Sequence, residues 1–227
     1  MSKKFDVEEK ILEKSIDLFY KHGFVKASLR DIAKAVGITS STVYLYFKNK
    51  DEILFKIIFN CGAELLKGLQ TVMENQDDPK ECLRAMILWQ ICFSSDTKNS
   101  KKLKIFLEEQ YRLSPYLRKK AFEQHRQIYD LYFSKVCEVA KNGADEKTDR
   151  TVITFSILAM INWVYRWFDP DGKLSIEEVA KNVIDLFFRG ILKKEGVKDK
   201  NHIVLLSDLR SEREEGKSWD TATSFMK

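Results

Sequence analysis

Residues 28–47 read Ser-Leu-Arg-Asp-Ile-Ala-Lys-Ala-Val-Gly-Ile-Thr-Ser-Ser-Thr-Val-Tyr-Leu-Tyr-Phe. Leu29, Ile32, Ala33 and Val36 recur at helical spacing, and Gly37 stops the run where a left-handed residue costs least. Ser28 stands before Leu29 with Asp31 three residues on, an N-cap pattern akin to a capping box. Thr39 or Ser40 then caps a second short helix, expected through Phe47, with Ile38, Val43 and Phe47 on its apolar side. Ala33 is small enough to let the two helices cross closely. Neither is long enough to hold its shape alone, so Ile11, Phe19 and Phe24 must complete a small core. The pattern predicts a helix-turn-helix supported by a first helix.

The exposed set on the second short helix is Thr39, Ser40, Ser41, Thr42, Tyr44 and Tyr46, without a carboxylate. A phosphate sheath repels carboxylates, while small hydroxyls approach base edges or phosphates freely. Lys34, Lys48 and Lys50 add positive charge around this face. The plainer alternative is an N-cap cluster with surface tyrosines in a generic helical bundle.

Outward from this segment, nearly every stretch keeps helical period, and no strand-like alternation bounded by hairpin turns occurs. Val7 to His22 forms the first helix, and Asp51 to about Met73 a long one opened by Asn49 or Lys50. Pro79 to about Phe93, Lys101 to Tyr111, Pro115 to Lys141, Glu146 to Phe168 and a Ser175-capped helix ending near Leu192 follow. Residues 94–100 read as a polar connector and 142–145 as a break. The fold class is therefore all-α. Residues 1–55 form the helix-turn-helix three-helix domain, and 56–192 a helical bundle for ligand binding and dimerisation. The tail, 193–227, is expected to be poorly ordered apart from one weak helix.

Composition narrows the function classes. Of 227 residues 44% are hydrophobic and 32% charged, and the most apolar stretch, Phe155 to Phe168, is interrupted by Ser156, Asn162 and Arg166. That stretch falls short of the ~20 residues a lipid-spanning helix needs. No apolar run follows the N-terminal lysines, so a soluble cytoplasmic protein with no membrane partner is expected. The net charge of +5 is too small to identify a nucleic-acid binder, but its distribution is uneven. Residues 1–50 carry ten basic against six acidic side chains, and 94–126 carry nine against four. Cys61, Cys82, Cys92 and Cys137 form no C-x-x-C pair and read as buried thiols, with no metal or cofactor implied. His22, His125 and His202 lie far apart without an H-E-x-x-H pair, and no phosphate-cradling glycine motif occurs. Enzymatic function is not expected.

The run Phe24-x-x-x-Ser28-Leu29-Arg30-Asp31-Ile32-Ala33-x-x-x-Gly37-Ile38-x-x-Ser41-Thr42-Val43-Tyr44-x-Tyr46-Phe47-x-x-Lys50-Asp51-Glu52-Ile53-Leu54 resembles the TetR family of bacterial transcriptional repressors. Ser28 stands where that family often has threonine, which keeps the cap. The resemblance implies that 39–46 is a recognition helix entering the major groove, with Thr39, Ser40 and Ser41 near base edges or phosphate. Tyr44 and Tyr46 would lie against the backbone, Tyr44 with a second possibility of packing partly inside the small core. Lys50 would clamp a phosphate. It also implies a homodimer on palindromic double-stranded operator DNA and a small-molecule effector.

The aromatic-rich remainder supplies candidate effector contacts at Trp89, Phe93, Phe106, Tyr111, Tyr129, Phe133, Trp163 and Trp167, most such residues being core or interface in any bundle. Arg166 is unusual inside an apolar helix, although it could equally pair with a carboxylate or reach solvent. Residues 162–180 resemble a TetR branch of fatty-acid and sterol degradation repressors that respond to acyl-CoA thioesters. By that likeness Arg166 and its flanking tryptophans would touch the ligand. Lys98, Lys101, Lys102, Lys104, Arg118, Lys119 and Lys120 would meet the CoA phosphates, unless they form an ordinary solvated face or add attraction for DNA. Ile184, Phe187, Phe188 and Ile191 form a stripe suited to a dimer face. Two other classes stay open. A multidrug-type regulator would take aromatic cations against Glu108 or Glu109, and an architectural protein would bind DNA without sequence preference or ligand.

Overall fold

The computed structural model describes residues 2–141 and 149–191, with side chains described for 6–141 and 149–189. Helix α1 spans Ser2–His22 and sends Ile11, Ile16 and Phe19 into the core. It ends at Gly23, whose φ of 77° is left-handed. Helix α2 is Leu29–Val36, opened by the expected capping box. The Ser28 hydroxyl accepts from the Asp31 N–H, and the Asp31 carboxylate accepts from the Ser28 N–H at 3.0 Å. Gly37 closes it at φ 79°, with the Ile38 N–H on the Ala33 carbonyl at 3.0 Å and the Gly37 N–H on that of Lys34 at 3.2 Å.

Helix α3 is shorter than expected, Ser40–Tyr44. Beyond it the chain tightens into turns, with the Leu45 N–H on the Thr42 carbonyl and the Tyr46 N–H on that of Val43. Helix α4, Lys50–Glu74, is capped by Asn49 and runs without a break through the expected division at 55 and 56. Helix α5, Pro79–Ser95, and helix α6, Thr97–Glu108, replace the expected polar connector at 94–100. Asp96 alone separates them. Its carboxylate accepts the N–H groups of Lys98 and Asn99 at 3.0 and 2.9 Å, and one such cap suffices to open α6.

A short 3-10 turn, Gln110–Arg112, leads to helix α7, Pro115–Lys141, whose bounds match the expected ones. The expected break at 142–145 lies outside the described residues, as do the tail and the start of the helix expected from Glu146. Helix α8, Arg150–Trp167, is capped by Asp149, and helix α9, Ile176–Ile191, by a reciprocal pair between Ser175 and Glu178. The described elements are all helical and pack as one compact unit.

In the bundle, α4 packs on α5, α6 and α7, while α5 packs on α7, α8 and α9. Ile53, Leu54, Ile58, Leu65, Leu69, Leu83, Met86, Ile87 and Ile91 fill the contacts. One polar chain crosses this apolar interior. The fully buried Tyr132 hydroxyl donates to Gln90 Oε1 at 3.0 Å, and Gln90 Nε2 donates to Asn162 Oδ1 at 2.9 Å. It links α7, α5 and α8 and leaves these buried groups paired. The four cysteines are free thiols, and burial pushes the Cys61 thiol well up. Among the described residues no helix is long and apolar enough to cross a membrane, and no group of three or more His, Cys, Asp or Glu could hold a metal.

Candidate nucleic-acid interface and ligand domain

Thr39 organises the start of α3. Its Oγ1 accepts the Thr42 N–H at 3.2 Å and lies 2.7 Å from Ser41 Oγ and 2.8 Å from Thr42 Oγ1. Three of the four expected hydroxyls thus form one hydrogen-bonded cluster, with Thr39 and Ser41 exposed and Thr42, like Ser40 beside it, half-buried. Val43 and Phe47 are buried beneath and fix the helix to α2. Of the two tyrosines expected on this face, Tyr44 lies on it and Tyr46 does not lie fully there. Tyr44 is 57% exposed, and Tyr46 packs partly against the core. Leu45 is also exposed, an apolar side chain beside the hydroxyls that their pattern did not single out.

Lys34 and Lys48 are exposed. The Lys48 N–H donates to the Glu52 carboxylate at 2.6 Å, which together with the Asn49 cap fixes the entry into α4. Lys50 is placed differently from the expected phosphate clamp. Its ammonium donates to the carbonyls of Phe24, Val25 and Ala27 at 2.6, 3.2 and 2.7 Å and sits 4.3 Å from the Phe24 ring centre. The carbonyls at 24–27 have no helix to accept from, and the lysine gathers them into a closed loop. Between α1 and α2, His22, Lys26 and Lys34 line a hollow with Asp31, whose carboxyl the Ser28 hydrogen bonds hold below its ordinary range.

The basic 94–126 stretch has several different partners. Lys101 pairs with Asp17 at 2.6 Å, Lys98 with Glu13 at 3.7 Å and Lys102 with Glu64 at 2.7 Å. The Lys104 ammonium lies 4.7 Å from the Tyr20 ring centre. Together these side chains tie α6 to α1 and α4. Lys120 lies over Tyr116 at 4.7 Å instead. Glu109 extends the tie, accepting the Phe24 N–H at 3.4 Å. Glu108 accepts from the Tyr165 hydroxyl at 2.7 Å and from Arg166 Nε at 3.0 Å. Burial raises the Glu108 carboxyl, but those hydrogen bonds outweigh it and leave the group below its ordinary range. Both carboxylates expected of a cation-binding pocket are thereby occupied.

The aromatic candidates separate into distinct places. Trp89 and Phe93 stack at 5.3 Å and line a cleft of about 600 Å³ between α4 and α5, with Val72, Thr71, Asn75 and Glu64 at its edges. Gly68 makes room there, since a Cβ on it would come within 1.9 Å of the Trp89 ring. Phe106 is buried against His125, and Tyr111 is exposed beside Phe122. Tyr129 stacks on Phe133 at 5.6 Å and meets Phe155 at 5.0 Å.

Trp163, Arg166 and Trp167 lie on the outer face of α8, with the Arg166 guanidinium over the Trp163 ring at 4.5 Å and its charge on Glu108. They stand apart from the Trp89 cleft, because α8 turns its other face, Ile153, Ile157, Ile161 and Val164, into the core. Val152, Phe155, Trp163 and Trp167 form an exposed apolar strip on that outer face. Ile184, Phe187 and Phe188 of the expected dimer stripe are buried within the chain, Phe188 beneath the Arg84 guanidinium at 4.3 Å. The Ile191 side chain lies outside the described ones.

Residues 11–57 match the family described as "Bacterial regulatory proteins, tetR family", and residues 76–191 match the "Tetracyclin repressor-like, C-terminal domain". The HTH-type transcriptional repressor KstR2 of Mycolicibacterium smegmatis is 23% identical over 84% of this chain and 93% of its own. The fatty acid metabolism regulator protein of Bacillus subtilis is 23% identical, over 81% of this chain and 95% of its own. Among solved structures, AibR in complex with isovaleryl coenzyme A and operator DNA superposes with a TM-score of 0.74. It is 27% identical and covers 79% of this chain and 97% of that one.

Proposed function

The chain belongs to the TetR family of bacterial regulatory proteins, and on that premise we propose a cytoplasmic repressor that an acyl-CoA thioester releases from a palindromic operator. Regulators of this family are ligand-responsive DNA-binding proteins that generally act as homodimers. In the proposal, residues 1–55 read DNA, 56–192 bind the effector and the second copy, and lipid degradation is the regulated process.

The observation that carries the reading is the hydrogen-bonded Thr39, Ser41 and Thr42 hydroxyl cluster on a helix held from below by Val43 and Phe47. Hydroxyls at a helix start reach base edges and phosphates without a carboxylate to repel the strand. Ser40, Tyr44, Tyr46, Lys34 and Lys48 complete the contact set, and Lys50 serves it by shaping the loop at 24–27. One such unit offers little surface, so two copies on a two-fold site are needed for tight binding. The exposed strip on α8, with α9 beside it, is the proposed pairing face.

The acyl-CoA assignment draws on the relatives. AibR is solved with isovaleryl coenzyme A, and the Bacillus subtilis relative carries fatty acid metabolism in its name. An acyl chain entering apolar surroundings gains roughly 0.8 kcal/mol per CH₂ before ordering costs. Trp89 and Phe93 line one apolar cleft of this domain, and Phe106, His125, Phe122 and Tyr111 form a separate aromatic row that such a chain can follow. The ligand releases DNA only by preferring a conformation that fits the operator poorly.

The test selects duplexes from a random pool and titrates dodecanoyl-CoA into the selected complex, with free CoA and dodecanoate as controls. A two-fold consensus and release by the thioester alone are expected. Release by small aromatic cations, or indifference to sequence, would overturn the reading.

A further inference from the structure

His125 lies flat on Phe106, with ring centres 3.9 Å apart and planes 10° from parallel. Phe122 and Tyr111 continue the row outward, at 6.1 Å from His125 to Phe122 and 5.8 Å from Phe122 to Tyr111. Exposure falls along it, from 63% at Tyr111 through 40% at Phe122 to 2% at Phe106. This aromatic path runs from solvent into the junction of α4, α6 and α7.

Three unpartnered acceptors belong to elements that meet at this junction, two on α7 and one on the 3-10 turn that packs on α4, α6 and α7. Gln124, 6% exposed, donates Nε2 to the Phe59 carbonyl of α4 at 3.0 Å, which orients the amide and leaves Oε1 bare. Gln110, equally enclosed, donates Nε2 to the Leu107 carbonyl at 3.4 Å and likewise leaves Oε1 without a donor. His125 hydrogen-bonds to the backbone of Phe106, and its Nε2 is buried without a partner. Burial holds the imidazole neutral down to about 4, so a ring nitrogen that does not donate is an acceptor. Four buried side-chain polar atoms lack a partner among the described residues; three are these, and the fourth is Arg84 Nε on α5. Buried polar groups in folded proteins are ordinarily paired, and three acceptors of one sign at one junction call for a donor.

We propose that this junction reads the polar group of the effector, and that the group recognised is an uncharged hydrogen-bond donor, an amide N–H or a hydroxyl. An apolar body carries it and enters along Tyr111, Phe122 and His125. A carboxylate would bring only lone pairs to three acceptors and is rejected. The proposal rests on the ligand-responsive reading of this domain and deepens it. The pantetheine arm of an acyl-CoA carries amide N–H groups of this kind, whereas a free fatty acid carries none. The site is also placed to act. Gln110 follows Glu109, whose carboxylate holds the Phe24 N–H of the loop beside the reading helices. A donor that re-aims Gln110 therefore pulls on that contact.

The test uses protein labelled with nitrogen-15 at histidine, whose spectrum holds only His22, His125 and His202, with His125→Phe to assign the signal. Dodecanamide, dodecanoate and dodecanoyl-CoA are the probes. Dodecanamide is expected to move the His125 Nε2 resonance, and dodecanoate at equal concentration to leave it in place. Gln110→Met and Gln124→Met should each weaken dodecanamide binding about ten-fold, the loss of one hydrogen bond. If either variant fails to fold, the contrast between amide and carboxylate on the unaltered protein still decides. Dodecanoate binding as well as the amide, bound dodecanamide with His125 unmoved, or no response to any probe would each overturn the site. Dodecanoyl-CoA that releases DNA without touching His125 would overturn this site and keep the acyl-CoA reading. Dodecanamide that moves His125 while dodecanoyl-CoA leaves DNA bound would do the reverse.

Discussion

With its ammonium on three carbonyls, Lys50 closes the loop at 24–27, and in the proposed function it serves DNA binding through that loop. Lys50→Met leaves those acceptors bare and is expected to cost roughly 1–3 kcal/mol in urea unfolding. Operator affinity should fall with the salt dependence unchanged, whereas loss of a direct phosphate contact would lower the log–log slope by about 1. His125 makes a pH prediction. Its folded value lies near 4, below the ordinary 6.5, so the unfolded chain takes up the proton first on acidification. Stability is full above 6.5 and drains as pH falls toward 4, by up to about 3 kcal/mol. Urea midpoints at pH 7.5 and 4.5 should show the loss, and His125→Phe should shrink it. Neither role was legible in the sequence. Lys50 finds its carbonyls 23 to 26 residues back, and the carboxylate that the sequence left open for Arg166 is Glu108, 58 residues away. Spacing along one helix carries no sign of such partners.

Local chemistry was legible at the scale of the element. Ser28 with Asp31, Gly37, Asn49, Pro79 and Ser175 each satisfy or omit helix-end groups within four residues, so they mark α2, α4, α5 and α9 from the sequence. Asp96 was lost inside a polar run, because one capping residue is enough to turn the chain. The faces of α8 were also unreadable, since it is rich in apolar residues on both sides and only packing against α5 and α7 selects the inner one. Gly68 on α4 gives the element its test. An alanine there gains up to about 1 kcal/mol of helix propensity, but its methyl overlaps the Trp89 ring, and overpacking costs about 1–3 kcal/mol. Gly68→Ala is therefore expected to lower the melting temperature. Adding Trp89→Leu should restore it, and calorimetry of the three variants checks both signs.

At the scale of the whole molecule, Val152, Phe155, Trp163 and Trp167 leave one long apolar strip in water. Trp163→Glu with Trp167→Glu should bring the mass in light scattering to about 26.6 kDa, where the parent is expected to give twice that. The helical signal in circular dichroism should stay, because neither ring is in the core, while operator binding weakens strongly. Helix α6 sets a further whole-molecule behaviour through Lys98, Lys101 and Lys102, each already on a carboxylate of α1 or α4. Added electrolyte reaches those pairs in the free protein as well as the phosphates in the complex. Counterion release from DNA alone gives a straight line of log affinity against log salt. Loosening of the frame that sets the reading head adds a second, progressive loss, so the line should bend downward. Lys101→Gln, already loosened, should bind less tightly at low salt and trace a straighter line.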